Sequence, residues 1–276
     1  MITVERPLDG RMPVLDLPPL SALGDDLLDT SAARRLWTLS RPLLWTVVFF
    51  LLAARGWWVP ALAVFPALFL SQVVALNDVM HRSTGLSPKA TELLVAALGA
   101  LVLESGHAIR VTHLAHHEKG GGHDDPESYV DLLPARRLVL ELPLYRVRIW
   151  SYGWRNATRR ERVWAATEFL VAAVVAAWCV FGHAPTSVIV FAVACVLAGW
   201  AFPLASAVGP HTDWGRDDSS HAYRVRGRLV PRLMLNLPYH LEHHLYTEVP
   251  SHRLPQLAER LAPFLDRSGI KKVQVW

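Results

Sequence analysis

Cysteine is nearly absent: the 276 residues hold two, Cys179 and Cys195, both inside apolar stretches. That excludes a disulfide framework and any cysteine-built metal centre, iron–sulfur clusters included. Charge is scarce as well. Asp, Glu, Lys and Arg make up 19% of the chain, below the roughly 25% usual in soluble domains, whereas apolar residues reach 52% and mean hydropathy is +0.23. Met1 to Ala33 lacks the basic start and small-residue cleavage site of a signal peptide, so insertion is expected to rely on internal apolar segments. No G-x-G-x-x-G precedes a strand–helix pattern, and no segment is left over for a haem module. Reducing equivalents, where needed, are expected from a separate protein.

What the chain does have is long apolar runs, near residues 36–54, 59–80, 164–182 and 187–209. A bilayer core of about 30 Å needs about 20 helical residues. The last two runs meet this directly. The first limb is the weakest, because Leu43–Ala54 is short and Arg41 must sit at the interface. A fifth run, Leu93–Leu103, is too short to span and reads as a re-entrant or surface helix. With four crossings and the N-terminus inside, segments 1–42, 81–163 and 210–276 carry 27 of the 28 Lys and Arg residues. That bias places both termini on the cytoplasmic side. The 11 Trp residues, several beside the apolar runs, suit membrane interfaces. The expected fold is all-α and integral to the membrane: about four transmembrane helices and a cytoplasmic helical cap. Residues 1–35 form an N-terminal segment and 36–276 the main domain. The net charge of +4 suits anionic headgroups or acidic partners. Nucleic-acid binding leaves the apolar runs unexplained and is set aside.

The histidines are clustered. Seven of 13 fall into three short stretches: Asn77-Asp78-Val79-Met80-His81, His113-Leu114-Ala115-His116-His117 and His240-Leu241-Glu242-His243-His244. An eighth, His211, follows the fourth run in Gly209-Pro210-His211-Thr212-Asp213. On a helix, positions i, i+3 and i+4 share a face, so each H-x-x-H-H presents its imidazoles together. Every cluster lies at or beyond the inner end of a crossing. One metal takes about four to six protein ligands, so eight convergent imidazoles imply two ions. Imidazole alone does not choose among iron, zinc, copper and nickel. A zinc hydrolase needs only about three protein ligands and leaves five histidines over, and a transporter site belongs nearer mid-membrane.

The stretch from His240 to Ala258, with its V-P-x-x-x-L-P tail at Val249–Pro255, resembles the third histidine box of membrane fatty acid desaturases. His113–Glu118, followed by Asp124-Asp125-Pro126-Glu127, is similar to their second box and its acidic turn. Asn77–His81 resembles the first, with Asn77 where the family places a histidine, and His211 stands in the place of the family's extra histidine. The resemblance covers about 45–262. It implies a di-iron oxidase that uses two non-haem iron ions and O2 to introduce a double bond into a fatty acyl chain. The alternative within the superfamily is a hydroxylase or ketolase acting on a carotenoid or other lipophilic metabolite. The implied ligands are His81, His113, His116, His117, His211, His240, His243 and His244, with Asn77 as a further candidate. Asp78, Asp124, Asp125, Asp213 and Glu242, adjacent to these positions, are expected to orient the imidazoles. Implied partners are the membrane, a lipid or acyl substrate, and an electron donor such as ferredoxin with its reductase.

Overall fold

The structure is a computed structural model that describes residues 17–119, 124–204, 206, 224–268, 270 and 272–276. The described chain is helical apart from one two-stranded parallel sheet, and it divides into two compact units. One comprises residues 30–112 and 142–202, the other 17–29, 113–141 and 203–276.

The first unit holds the membrane-capable helices. These are α2 (Ala32–Ala54), α3 (Trp58–Met80), α7 (Arg159–Phe181) and α8 (Thr186–Pro203), each long and apolar enough to cross a bilayer. The expected weakness of the first limb is corrected. Helix α2 runs 23 residues because Ser31 caps its N-terminus, accepting from the Arg34 N–H at 3.2 Å, well before the apolar run begins. Gly56, at φ 74°, sits in the turn that joins α2 to α3. Phe49, Phe65 and Phe191 meet edge-on with centroids 5.3–6.2 Å apart, tying α2 and α3 to α8. The short fifth run becomes α4 (Pro88–Leu101), which meets α5 (Gly106–Lys119) at 106°, the geometry of a broken span or re-entrant segment. Gly153 allows α6 (Ala135–Asn156) to lie against α5: a methyl there would run into the Ala108 carbonyl. Within the fourth run α8 extends to Pro203, and Leu204 and Ser206 carry π-helical geometry.

A polar knot joins α4, α5 and α7 in this unit. His107 is fully buried, with carboxylates facing both ring nitrogens: Glu168 Oε1 at 2.6 Å from Nδ1 and Glu92 Oε2 at 3.3 Å from Nε2. Glu168 also accepts from the Ser105 hydroxyl at 2.6 Å and the His107 N–H at 3.2 Å. Arg110 joins Glu92 at 2.6 Å, and Trp164 stacks on the imidazole at 5.1 Å. A buried glutamate within a membrane-capable helix is held there by satisfied hydrogen bonds, because isolated charge in that setting is very costly.

The second unit is built on α11 (Leu254–Arg267), whose buried Leu257, Leu261 and Leu265 recur at helical spacing. They pack with Leu27, Leu241, Tyr246 and Val249. The unit also contains α1 (Leu20–Leu23), α9 (Leu229–Leu233) and α10 (His240–Leu245). Its small sheet pairs β1 (Arg224–Arg226) with β2 (Lys272–Gln274).

Candidate metal centre

Helix α10 shows how a six-residue element is held rigid. Leu241 enters the unit's core and Glu242 is fully buried in an ion pair with Arg226 at 2.7 Å, which turns His240, His243 and His244 toward one side. Burial pushes the Glu242 carboxyl above its ordinary value, against the pull of Arg226. Glu242 was expected to orient an imidazole. It anchors the helix instead.

The six box histidines of this unit form two triads. His113, His117 and His243 bring one ring nitrogen each to within 4.8 Å of one another, and His116, His240 and His244 do the same. Each triad takes the first and last histidine of one box and the middle histidine of the other. With about 3.6 residues per turn, i+4 lies about 40° to one side of i and i+3 about 60° to the other. One box therefore divides its imidazoles between two centres, rather than presenting all three together. The Nε2 atoms of His113 and His117 are 3.1 Å apart; that of His244 is 3.0 Å from His240 and 3.2 Å from His116. Two nitrogens each about 2.1 Å from one ion, at 90–109°, would be separated by roughly 3.0–3.4 Å. The donor set and spacing thus fit a metal ion in each triad.

Carboxylates hold the far side of two rings. His116 Nδ1 meets Asp125 Oδ2 at 2.7 Å, and His113 Nδ1 meets Glu127 Oε2 at 3.1 Å. A proton fixed on Nδ1 leaves the Nε2 lone pair aimed into the triad. Asp125 does two jobs: its other oxygen accepts from the Glu127 and Ser128 backbone N–H groups at 2.8 and 3.0 Å, closing the Asp-Pro turn. Burial opposes ionisation of both acids, yet His116 and the turn hold Asp125, and His113 holds Glu127, below the usual carboxylate range. Burial, then the charge of neighbouring imidazoles, lowers His243 to about 3 and His244 well below its ordinary value. His116 moves the other way: burial opposes its charge, but the Asp125 hydrogen bond and the nearby acids raise it. The depressed values of His243 and His244 make their own contribution to stability complete above the ordinary histidine pKa of about 6.5. That contribution is lost as pH falls below it, where the unfolded chain alone protonates these two rings. Neutral imidazoles are also the form that ligates metal.

Glu127 was missed as an orienting acid. The signal was its place in the Asp-Asp-Pro-Glu turn, two residues after Asp125. Asp124 differs from expectation: it is exposed, and its carbonyl rather than its carboxylate is used, by Lys119 Nζ at 2.6 Å. His81 caps α3 in the first unit, its N–H bonded to the Asn77 carbonyl at 3.1 Å, with Asp78 buried beside it. His211 and Asp213 lie outside the described residues.

Replacing Asp125 by Asn keeps an oxygen for the turn but removes the carboxylate from His116. Iron affinity is expected to fall about 10–100-fold with helicity unchanged, checked by iron retention against a chelator. Retention equal to wild type would mean that Asp125 does not set the ring's tautomer.

Four membrane-capable helices and paired three-histidine clusters define an integral-membrane, histidine-rich protein suited to metal chemistry. A family model described as fatty acid desaturase matches residues 55–276, and the chain belongs to that family. It is therefore an oxidoreductase of an iron-dependent family, and lipid is the expected class of substrate. No curated protein matches the chain.

Proposed function

We propose that the protein is an O2-dependent di-iron oxidase that introduces a double bond into a fatty acyl chain. The observation that carries this reading is the pair of reciprocal histidine triads, each with a ring fixed by a buried carboxylate. His113, His117 and His243 would hold one iron, and His116, His240 and His244 the other. The box positions of His81 and His211 assign them as further ligands, with Asn77 offering a carbonyl oxygen where the family has a histidine. Bound iron would supply the one-electron and O2 chemistry that side chains lack.

Electron balance sets the other requirements. Reducing O2 to two waters takes four electrons and four protons. Two of each come from the adjacent C–H bonds that become the alkene. The other two electrons come from a separate donor, such as a ferredoxin with its reductase, and the other two protons from water. The chain's own residues orient two imidazoles through Asp125 and Glu127, while burial keeps His243 and His244 neutral. The Lys and Arg distribution supports an orientation with both termini and the boxes on the cytoplasmic side, where a soluble donor can reach them. Residues 36–276 act as the catalytic domain.

Product analysis of cells expressing the chain tests the reaction. An alkene-bearing acyl product supports desaturation; recovery of only hydroxylated or keto products would replace it with the hydroxylase or ketolase reading. Asn77→His tests the unusual ligand: iron per chain is expected to stay unchanged. A rise by one whole ion would show that the native site lacks a ligand assigned here.

A further inference from the structure

On the unit that carries the histidine triads, β1, α9 and α11 line a cleft of about 450 Å³ that the reaction does not use. Its wall includes Arg226, Arg228, Arg232, Asn236, Tyr239 and Glu259. The three guanidiniums are not equivalent. Arg226 is committed: it pairs with Glu242 at 2.7 Å and donates to the Val225 and Ala258 carbonyls at 2.7 and 3.3 Å. Arg228 and Arg232 are exposed and pair with no carboxylate among the described residues. Two uncompensated guanidiniums against the single acid Glu259 leave the cleft positive.

The cleft is also preformed. Tyr239 donates its hydroxyl to the Gly227 carbonyl at 3.3 Å, and Asn236 Nδ2 donates to the Ser251 carbonyl at 3.1 Å. Gly227 sits so close to residue 275 that an added Cβ would lie 2.5 Å from the Val275 carbonyl. A fixed wall lowers the ordering cost of binding. Paired arginine forks match the oxygens of a phosphate, and the volume suits a small organic molecule rather than one side chain from a protein surface.

We propose that this cleft binds a phosphate-bearing small molecule, its phosphoryl oxygens held by Arg228 and Arg232 and Glu259 setting the limit on its negative charge. The phosphate could belong to a soluble ester or to a lipid headgroup, and the same chemistry serves both.

Calorimetric titration of the purified full chain with inorganic pyrophosphate tests this. Saturable binding is expected in wild type, weakened about tenfold or more in R228Q/R232Q, since each charged hydrogen bond lost costs on that order. E259Q is expected to bind several-fold tighter, and R228K/R232K, with charge but no fork, to recover only part of the loss. Iron content should match wild type in all three, because none of these residues touches a triad. Nanodiscs of phosphatidylcholine with and without phosphatidic acid separate the sources: competition by phosphatidic acid assigns a headgroup, its absence a soluble ester. No saturable pyrophosphate binding in wild type, or equal binding in R228Q/R232Q, overturns the proposal. So does salt-sensitive capture of an acidic protein without pyrophosphate binding. The readout needs no turnover, so its failure is distinct from failure of the desaturase reading.

Discussion

His116→Ala and His243→Ala are each expected to leave a protein that still inserts but has lost turnover and about one iron per chain. Removing a mere hydrogen-bond partner of a ligand costs about 10–100-fold in affinity or activity, and loss of the ligand itself should exceed that. The reciprocal triads make a sharper demand. His116 belongs to the box at 113–117 but to the triad of His240 and His244. The double variant His116→Ala/His240→Ala should therefore still retain close to one iron, because both changes strike one centre. His116→Ala/His113→Ala, confined to a single box, should lose both. Iron per chain, measured with circular dichroism as a folding control, decides between them. If loss follows the boxes instead of the triads, the ligand assignment is wrong.

The largest stability effect is expected at Glu168. Its carboxylate receives Ser105 Oγ, the His107 N–H and His107 Nδ1, all in the buried interior of the first unit. Truncation to Ala removes three hydrogen bonds at once and leaves buried polar groups unmatched. Breaking a buried pair by deleting one partner costs about 3–5 kcal/mol. Arg160→Gln is the control: that guanidinium is exposed, 4.0 Å from Glu92, and such surface pairs contribute about 0–1 kcal/mol. Thermal unfolding in detergent should separate the two variants clearly. An unfolding midpoint for Glu168→Ala no lower than for Arg160→Gln would refute the structural role of this network.

Much of this was legible in the chain before any coordinates. The apolar runs gave four crossing helices because length and hydropathy decide that alone. The boxes gave candidate ligand clusters because spacings of three and four residues fix the phase of an imidazole on its own helix. Phase does not say which other helix lies opposite, so the pairing of His116 with His240 and His244 needed three dimensions. Glu242 shows the same gap. Adjacency to His243 suggested a contact with it, but one residue along a helix turns the side chain about 100° away, toward Arg226. The reach of α2 to Ala32 was missed because hydropathy sees only the apolar part of a helix, not the Ser31 cap. The carboxylates around His107 come from 15 residues before it and 61 after, separations that no local pattern reveals.

The reciprocal triads have a consequence for assembly. A first ion captured by either triad closes a loop of more than a hundred residues and brings α5 and α10 together. Most of the chain-ordering cost falls on that event, since loop closure is unfavourable once and need not be repeated. The three imidazoles of the other triad are then already in register for the second ion. Metal uptake by the unaltered chain should therefore be cooperative, and unaltered chains carrying a single ion should be scarce even when iron is limiting.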